Sequence, residues 1–305
     1  MTQEFYSEEE PGNFPLNYEI DAAIVMHRDS HFAGQFSTMI EYYRNNGVGV
    51  MEEFDLERIE ELAAQEAKTL QNLAISLLTG PDAERVAAAR EAYKNLKEVY
   101  EIKSPKNKYP QLIADLILAE DPHAKVEVEA IVAEKHAIVP SLIELINSED
   151  FYDPLFPGYG LAPEHALACL QKIGDKRAII ALFESIGKHD FFNEDVAISA
   201  LWHIGEPAKD FLLRVLRSKP YNEDNERAAI ALVAFEEDEE VAQACWEILR
   251  GLDLRQYLLF AEYLILCCEG LRSPAEREAF ISFGNSENIP KELRGDIKSI
   301  INCWK

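Results

Sequence analysis

With 305 residues, 48% hydrophobic and 28% charged, the chain can bury a sizeable core, which excludes a disordered tail or a fibre. Thirty Lys+Arg against 55 Asp+Glu leave a formal charge of -25, a surface that repels phosphate backbones and excludes nucleic acid as a partner. Glycine, 14 of 305, falls below the usual share of roughly 7% and points towards helices rather than turn-rich folds.

Residues 1–17 read as a flexible acidic tail: Glu4, Glu8, Glu9 and Glu10 with Pro11, Gly12 and Pro15 bury little, and the segment lacks the basic start of a secretory signal. Residues 18–105 read as an N-terminal helical region. From Tyr18 to Asn46 one or two short helices fit, with Phe32, Phe36, Met39, Ile40 and Tyr43 at spacings of 3 and 4, Ser30 as an N-cap and Asn45-Asn46-Gly47 as a stop. Asp55 caps a long helix whose stripe runs Leu56, Ile59, Ala63, Ala67, Leu70, Leu73 and Leu77 before Gly80-Pro81 ends it. A second helix, Pro81 to Ile102, follows after so short a turn that the two form an antiparallel αα-hairpin. Lys103 to Lys108 is a basic, solvated connector.

Residues 106–305 repeat. Ala166-Leu167-Ala168-Cys169-Leu170-Gln171-Lys172-Ile173-Gly174-Asp175 lies over Ala197-Ile198-Ser199-Ala200-Leu201-Trp202-His203-Ile204-Gly205-Glu206 at an offset of 31, and Ala231, Leu232 and Phe235 continue the register. Pro110-Gln111-Leu112-Ile113 lies over Pro140-Ser141-Leu142-Ile143 at an offset of 30. Each unit is a helix, a tight Gly/Asp or Pro turn and a second helix, with second helices starting near Pro110, Pro140, Lys176, Pro207 and Glu239, and Pro290 to Trp304 closing the array. Units of about 30 residues cannot bury their apolar faces alone and must stack.

In these residues the chain resembles the HEAT-repeat superfamily, specifically the short repeats of phycobilisome-lyase-like proteins, over roughly residues 110–285 and most strongly over 162–250. The resemblance implies an all-α fold, a curved α-solenoid of stacked helical hairpins. It leaves activity open, because relatives include scaffolds, chromophore lyases, glycosylases and an iron hydroxylase. The hydroxylase-like relatives hold two irons with His-Glu pairs, whereas this chain has the reversed Glu164-His165, and Asp195-Val196 in the next unit. The glycosylase-like relatives need a basic face, which the net charge contradicts.

Three segments carry candidate chemistry. His27 and His31, at i and i+4, point the same way on a helix and could ligate one metal, although Arg28 stands where a zincin has its catalytic Glu; packing against Phe32 and Phe36 is the competing reading. The acidic run Glu236, Glu237, Asp238, Glu239 and Glu240 is either a solvated turn or a docking patch for a basic partner, with Lys209, Arg214, Arg217 and Lys219 as a small contrary patch. The aromatic insertion 151–160 lengthens one repeat by about ten residues. Its Tyr152, Phe156 and Tyr159 either anchor a partner or fold back over the junction between the units at Pro140 and Ala166.

No phosphate loop, nucleophile elbow or cofactor motif occurs; Gly47-Val48-Gly49-Val50 lacks the further glycine of a dinucleotide site. Five cysteines without metal-type spacing (Cys169, Cys245, Cys267, Cys268, Cys303) imply a reducing compartment. Tyr257 to Cys268, interrupted by Glu262, is too short to span a bilayer. The expectation is therefore a cytoplasmic, non-enzymatic scaffold or adaptor without cofactor or membrane insertion, presenting an acidic surface to a protein with a basic patch. The alternative is a phycobilin-lyase-like, chromophore-handling protein or a metal-dependent activity at His27 and His31.

Overall fold

The computed structural model describes residues 16–102, 108–187 and 194–304, and among them every regular element is helical. The protein is all-α. Nearly all of the acidic tail, the basic connector on which the 105/106 boundary rests, and His189 lie outside the described residues. The chain divides into two compact units, Met1–Ala124 with Glu149–Ala162, and Lys125–Ser148 with Pro163–Lys305.

The first unit contains α1 (Tyr18–His31), α2 (Phe36–Arg44), α3 (Leu56–Thr69), α4 (Ala74–Leu77), α5 (Gly80–Glu101) and α6 (Lys108–Ile117). Its core gathers Ile24 and Val25 of α1, Phe36 and Met39 of α2, and Ile59 and Leu62 of α3. Ser30 does not cap a helix: α1 runs on to His31, and the chain reverses at Ala33 and Gly34, both left-handed, while the Phe32 and Gly34 N–H groups donate to the Arg28 carbonyl.

The expected long helix from Asp55 breaks. Asp55 caps α3 as read, its carboxylate accepting the Glu57 N–H, but α3 ends at Thr69 and Leu70 turns left-handed, 90% exposed. The cause lies 38 residues upstream. Arg28, fully buried, donates to Glu66 (2.7 Å) and Asn72 (3.0 Å), and the same two side chains accept the N–H groups of Leu73 and Ala74. Leu73 and Leu77 still reach the core, so the apolar stripe continues across a break in the backbone. The αα-hairpin fails with it, since α5 packs chiefly on α1 and α3 chiefly on α2. Thr79 and Asp82 start α5 with a reciprocal capping box.

The aromatic insertion belongs to the first unit. Leu155 and Phe156 bury against Ala89 of α5, with Met26 of α1 alongside. Asp153 holds the loop by accepting the Leu155 N–H (2.9 Å) and an Arg85 N–H (2.6 Å). Gly158, left-handed at φ +86°, approaches so closely that a Cβ there would lie 2.5 Å from the Ile117 carbonyl oxygen.

The second unit comprises α7 (Lys125–Ala133), α8 (Val139–Asn147), α9 (Ala162–Ile173), α10 (Ile179–Ser185), α11 (Glu194–Ile204), α12 (Glu206–Leu216), α13 (Glu223–Leu232), α14 (Glu239–Leu249), α15 (Leu258–Cys267), α16 (Pro274–Gly284) and α17 (Arg294–Cys303). Three sets of residues at the offset of 31 are all fully buried: Ala166, Ala197 and Ala228; Cys169, Ala200 and Ala231; Leu170, Leu201 and Leu232. Gly174 and Gly205 are left-handed where the first helix of each pair stops, and Asp175 and Asp238 then cap the next segment with their carboxylates. Successive helices pack on one another, α10 on α11, α11 on α12, α12 on α13 and α14 on α15.

Candidate functional site

In the second unit the acidic run forms one wall of an open cleft of about 750 Å³ whose lining also holds Trp202, Phe235 and Arg272. The local fold explains why the turn can sit there. A Cβ on Gly270 would fall 2.4 Å from the Glu236 carbonyl oxygen, so the turn rests directly on a residue without a side chain. Asp238 is committed to structure: its carboxylate accepts the Glu240 and Val241 N–H groups and a Lys209 N–H at 2.8 Å. Lys209, buried, also faces Glu206 and Glu240, at 3.0 and 3.6 Å, and so neutralises the acidic turn instead of joining Arg214 and Arg217 in a basic patch, which corrects the expected grouping. Burial raises the Asp238 pKa, but Lys209 and the two N–H donors more than offset it and hold the carboxyl below its ordinary range. Glu236 shifts the other way, pushed up by burial and by the neighbouring charges of Glu269 and Glu237.

Trp202 escapes a reading based on hydrophobicity alone. It stands at the offset of 31 from Gln171, a place where the preceding repeat is polar, and it is 56% exposed at the mouth of the cleft. The repeat register carried the signal.

In the first unit His27 and His31 share a face of α1, as their spacing predicts, with ring centroids 4.6 Å apart. They sit in an aromatic nest. His27 is 3% exposed and lies edge-on to Phe32, Tyr43 and Phe54, and Tyr159 rests 4.4 Å from the His31 ring. Burial is the main reason that the pKa of His27 falls to about 3 and that of His31 to about 4, so both are neutral at pH 7. Next in size, the His31 charge lowers His27 further, whereas the Pro154 backbone opposes the shift at His31.

Neutrality fixes a tautomer. His31 Nε2 lies 2.9 Å from the Pro154 carbonyl, which only accepts, so Nε2 carries the proton and Nδ1 must accept from the Tyr93 hydroxyl at 2.7 Å. The Tyr159 ring stacks beside that of Tyr42 with centroids 6.2 Å apart, and the Tyr42 hydroxyl accepts the Gly49 N–H at 3.0 Å. Two directions are thus fixed at His31: Tyr93 donates to Nδ1, and Nε2–H donates to the Pro154 carbonyl. The Gly47-Val48-Gly49 segment is the floor of this aromatic nest. A Cβ on Gly47 would fall 2.1 Å from Cζ of Tyr42, so the glycines serve aromatic packing.

Of the partner-binding candidates in the insertion, Phe156 is buried, whereas Tyr152 and Tyr159 are half-buried, Tyr159 within the histidine nest. Glu236 to Glu240 come together with Trp202, and the structure gives Glu237 and Glu240 the greatest exposure. For a metal, His31 has both nitrogens engaged, and no three His, Cys, Asp or Glu side chains gather around a common point among the described residues. Burial pushes up the pKa of the Cys169 and Cys268 thiols, as does the Cys245 contact with burial for Cys267, which leaves them poor nucleophiles. No helix among the described residues is long and apolar enough to cross a membrane. Comparison with known proteins found no matching family model, no matching curated protein and no matching solved structure.

Proposed function

We propose that this chain is a non-enzymatic interaction module of HEAT-like repeats, stacked as a curved solenoid, whose acidic cleft docks a basic segment of a partner protein. The buried sets at an offset of 31 and the left-handed Gly174 and Gly205 support the repeat reading. The observation that carries the binding reading is the exposed indole of Trp202 beside five consecutive acids, with Arg272 the one cation among the lining residues. An indole face and carboxylates together suit a Lys or Arg side chain, through cation–π attraction and charge pairing. Crowding among Glu236, Glu237 and Glu269 is relieved by an incoming cation.

The test is titration of the full chain with an oligolysine peptide, followed by tryptophan fluorescence. Of the three tryptophans, Trp246 is buried and Trp304 is half-buried with its indole N–H on the Glu269 carbonyl, so the exposed Trp202 gives the largest response. The expected result is saturable binding that weakens as salt rises, is abolished by Trp202→Ala and is reduced by Glu237→Gln/Glu240→Gln. Binding unchanged in these variants, or insensitive to salt, rejects the reading.

A further inference from the structure

The aromatic nest around His31 opens on a cavity whose lining selects for charge. That cavity, about 440 Å³, is lined by His31, Phe32, Tyr42, Tyr93 and Tyr159 on the aromatic side, with Thr38, Ile117, Leu118 and Glu120 around them. Its volume lies within the usual range of roughly 300–1,000 Å³ for small-molecule sites. Thr38 donates to Gln35 at 3.3 Å, Tyr93 donates to His31, and the one N–H of His31 goes to Pro154. To a ligand the lining offers aromatic and aliphatic surface, phenol oxygens and one carboxylate.

That carboxylate is Glu120. It is exposed, it makes no hydrogen bond or ion pair among the described residues, and its charge adds to the burial that raises the Tyr93 and Tyr159 phenols. No Lys or Arg lines the cavity. A carboxylate or phosphate ligand would meet the Glu120 carboxylate with no cationic side chain to offset it, and a neutral alcohol would leave that charge uncompensated. A primary ammonium group has three N–H donors and a positive charge, which suit a carboxylate, phenol oxygens and aromatic faces.

We propose that this cavity binds a primary organic amine, its ammonium group held by Glu120 and phenol oxygens of the lining tyrosines and its apolar body set against Phe32, Ile117 and Leu118. The site is separate from the acidic cleft of the second unit and does not rest on the reading given to that cleft.

The experiment titrates the full chain at neutral pH, by calorimetry, with 2-phenylethylammonium, its uncharged counterpart 2-phenylethanol and the anion 3-phenylpropionate. The ammonium compound should bind about tenfold or more tighter than the alcohol, and the anion should not bind. Glu120→Gln, at an exposed position where folding is not at stake, should weaken ammonium binding by about tenfold while leaving the melting temperature unchanged. Tyr159→Phe, which removes a phenol oxygen from the lining, should weaken it as well. Equal affinity for amine and alcohol, an unaffected Glu120→Gln, or no binding of the amine overturns the proposal. If Trp202→Ala rather than Glu120→Gln removes the binding, the amine sits in the acidic cleft and the proposal fails.

Discussion

Gly49 lies flat against the Tyr159 ring: a Cβ built on it would stand 2.1 Å from Cε1 and 2.3 Å from Cδ1. No side chain fits between them, and the Gly49 N–H also donates to the Tyr42 hydroxyl. Gly49→Ala should therefore destabilise the protein by about 1–3 kcal/mol, the range for overpacking, and alter the near-UV circular dichroism of its tyrosines. Gly80→Ala is the control, because no atom lies within 4 Å of its Cβ position. Equal denaturation midpoints for the two variants would show that the close approach is not maintained in solution.

Arg28 is expected to be the most sensitive polar residue of the first unit. It is fully buried, paired with Asp29 at 2.6 Å and Glu66 at 2.7 Å, and its guanidinium lies 4.5 Å from the Phe36 centroid. Removing one partner of a buried pair strands the other, so Arg28→Met should cost about 3–5 kcal/mol. Arg44→Met, which breaks the exposed Arg44–Glu60 pair, should cost about 1 kcal/mol or less. Chemical denaturation of both variants decides between a keystone and one ion pair among many.

Acid should weaken the histidine nest well before carboxylates titrate. His27 and His31 have folded pKa values lowered from 6.5 to about 3 and about 4, so below 6.5 the unfolded chain takes up protons that the folded chain refuses. Their contribution is complete above pH 6.5 and declines as pH falls towards 4, with a slope of about 1.4 kcal/mol per pH unit for each histidine. His27→Phe keeps an aromatic ring and removes one titrating group. It should flatten the stability profile between pH 6 and 4 relative to wild type; parallel profiles would mean that His27 is not buried neutral.

In the second unit Leu170, Leu201 and Leu232 occupy equivalent buried places. Each Leu→Ala change should cost about 2–5 kcal/mol, whereas Trp202→Ala, next door on α11 but facing the cleft, should leave stability nearly unchanged. A costly Trp202→Ala with a harmless Leu201→Ala would place the repeat register one residue out.

What the sequence made legible was local or periodic. Asp55 is a cap because an aspartate directly precedes an apolar stripe, and the offset of 31 is visible because each repeat solves the same packing problem with the same Ala and Leu anchors. The break after Thr69 was not legible, since Leu73 and Leu77 keep the stripe going while the cause, Arg28, lies far back in the chain. Gly47 and Gly49 look like a fragment of a nucleotide motif until Tyr42 and Tyr159, the latter more than 100 residues downstream, are placed against them. The acidic run was visible as composition, but its division into the structural Asp238 and the exposed Glu237 and Glu240 depends on where Lys209 is buried.

The insertion carrying Leu155, Phe156 and Tyr159 belongs to the first unit, although α7 and α8 of the second unit precede it in the chain. During synthesis, therefore, the ribosome makes the opening helices of the second unit before the last pieces of the first, and α1 and α5 must wait with an apolar flank uncovered until residue 162 has emerged. The same threading means that neither unit can be expressed as one uninterrupted stretch of the gene: a fragment ending at Ala124 would lack the segment that supplies Phe156 to α5 and Tyr159 to the histidine nest.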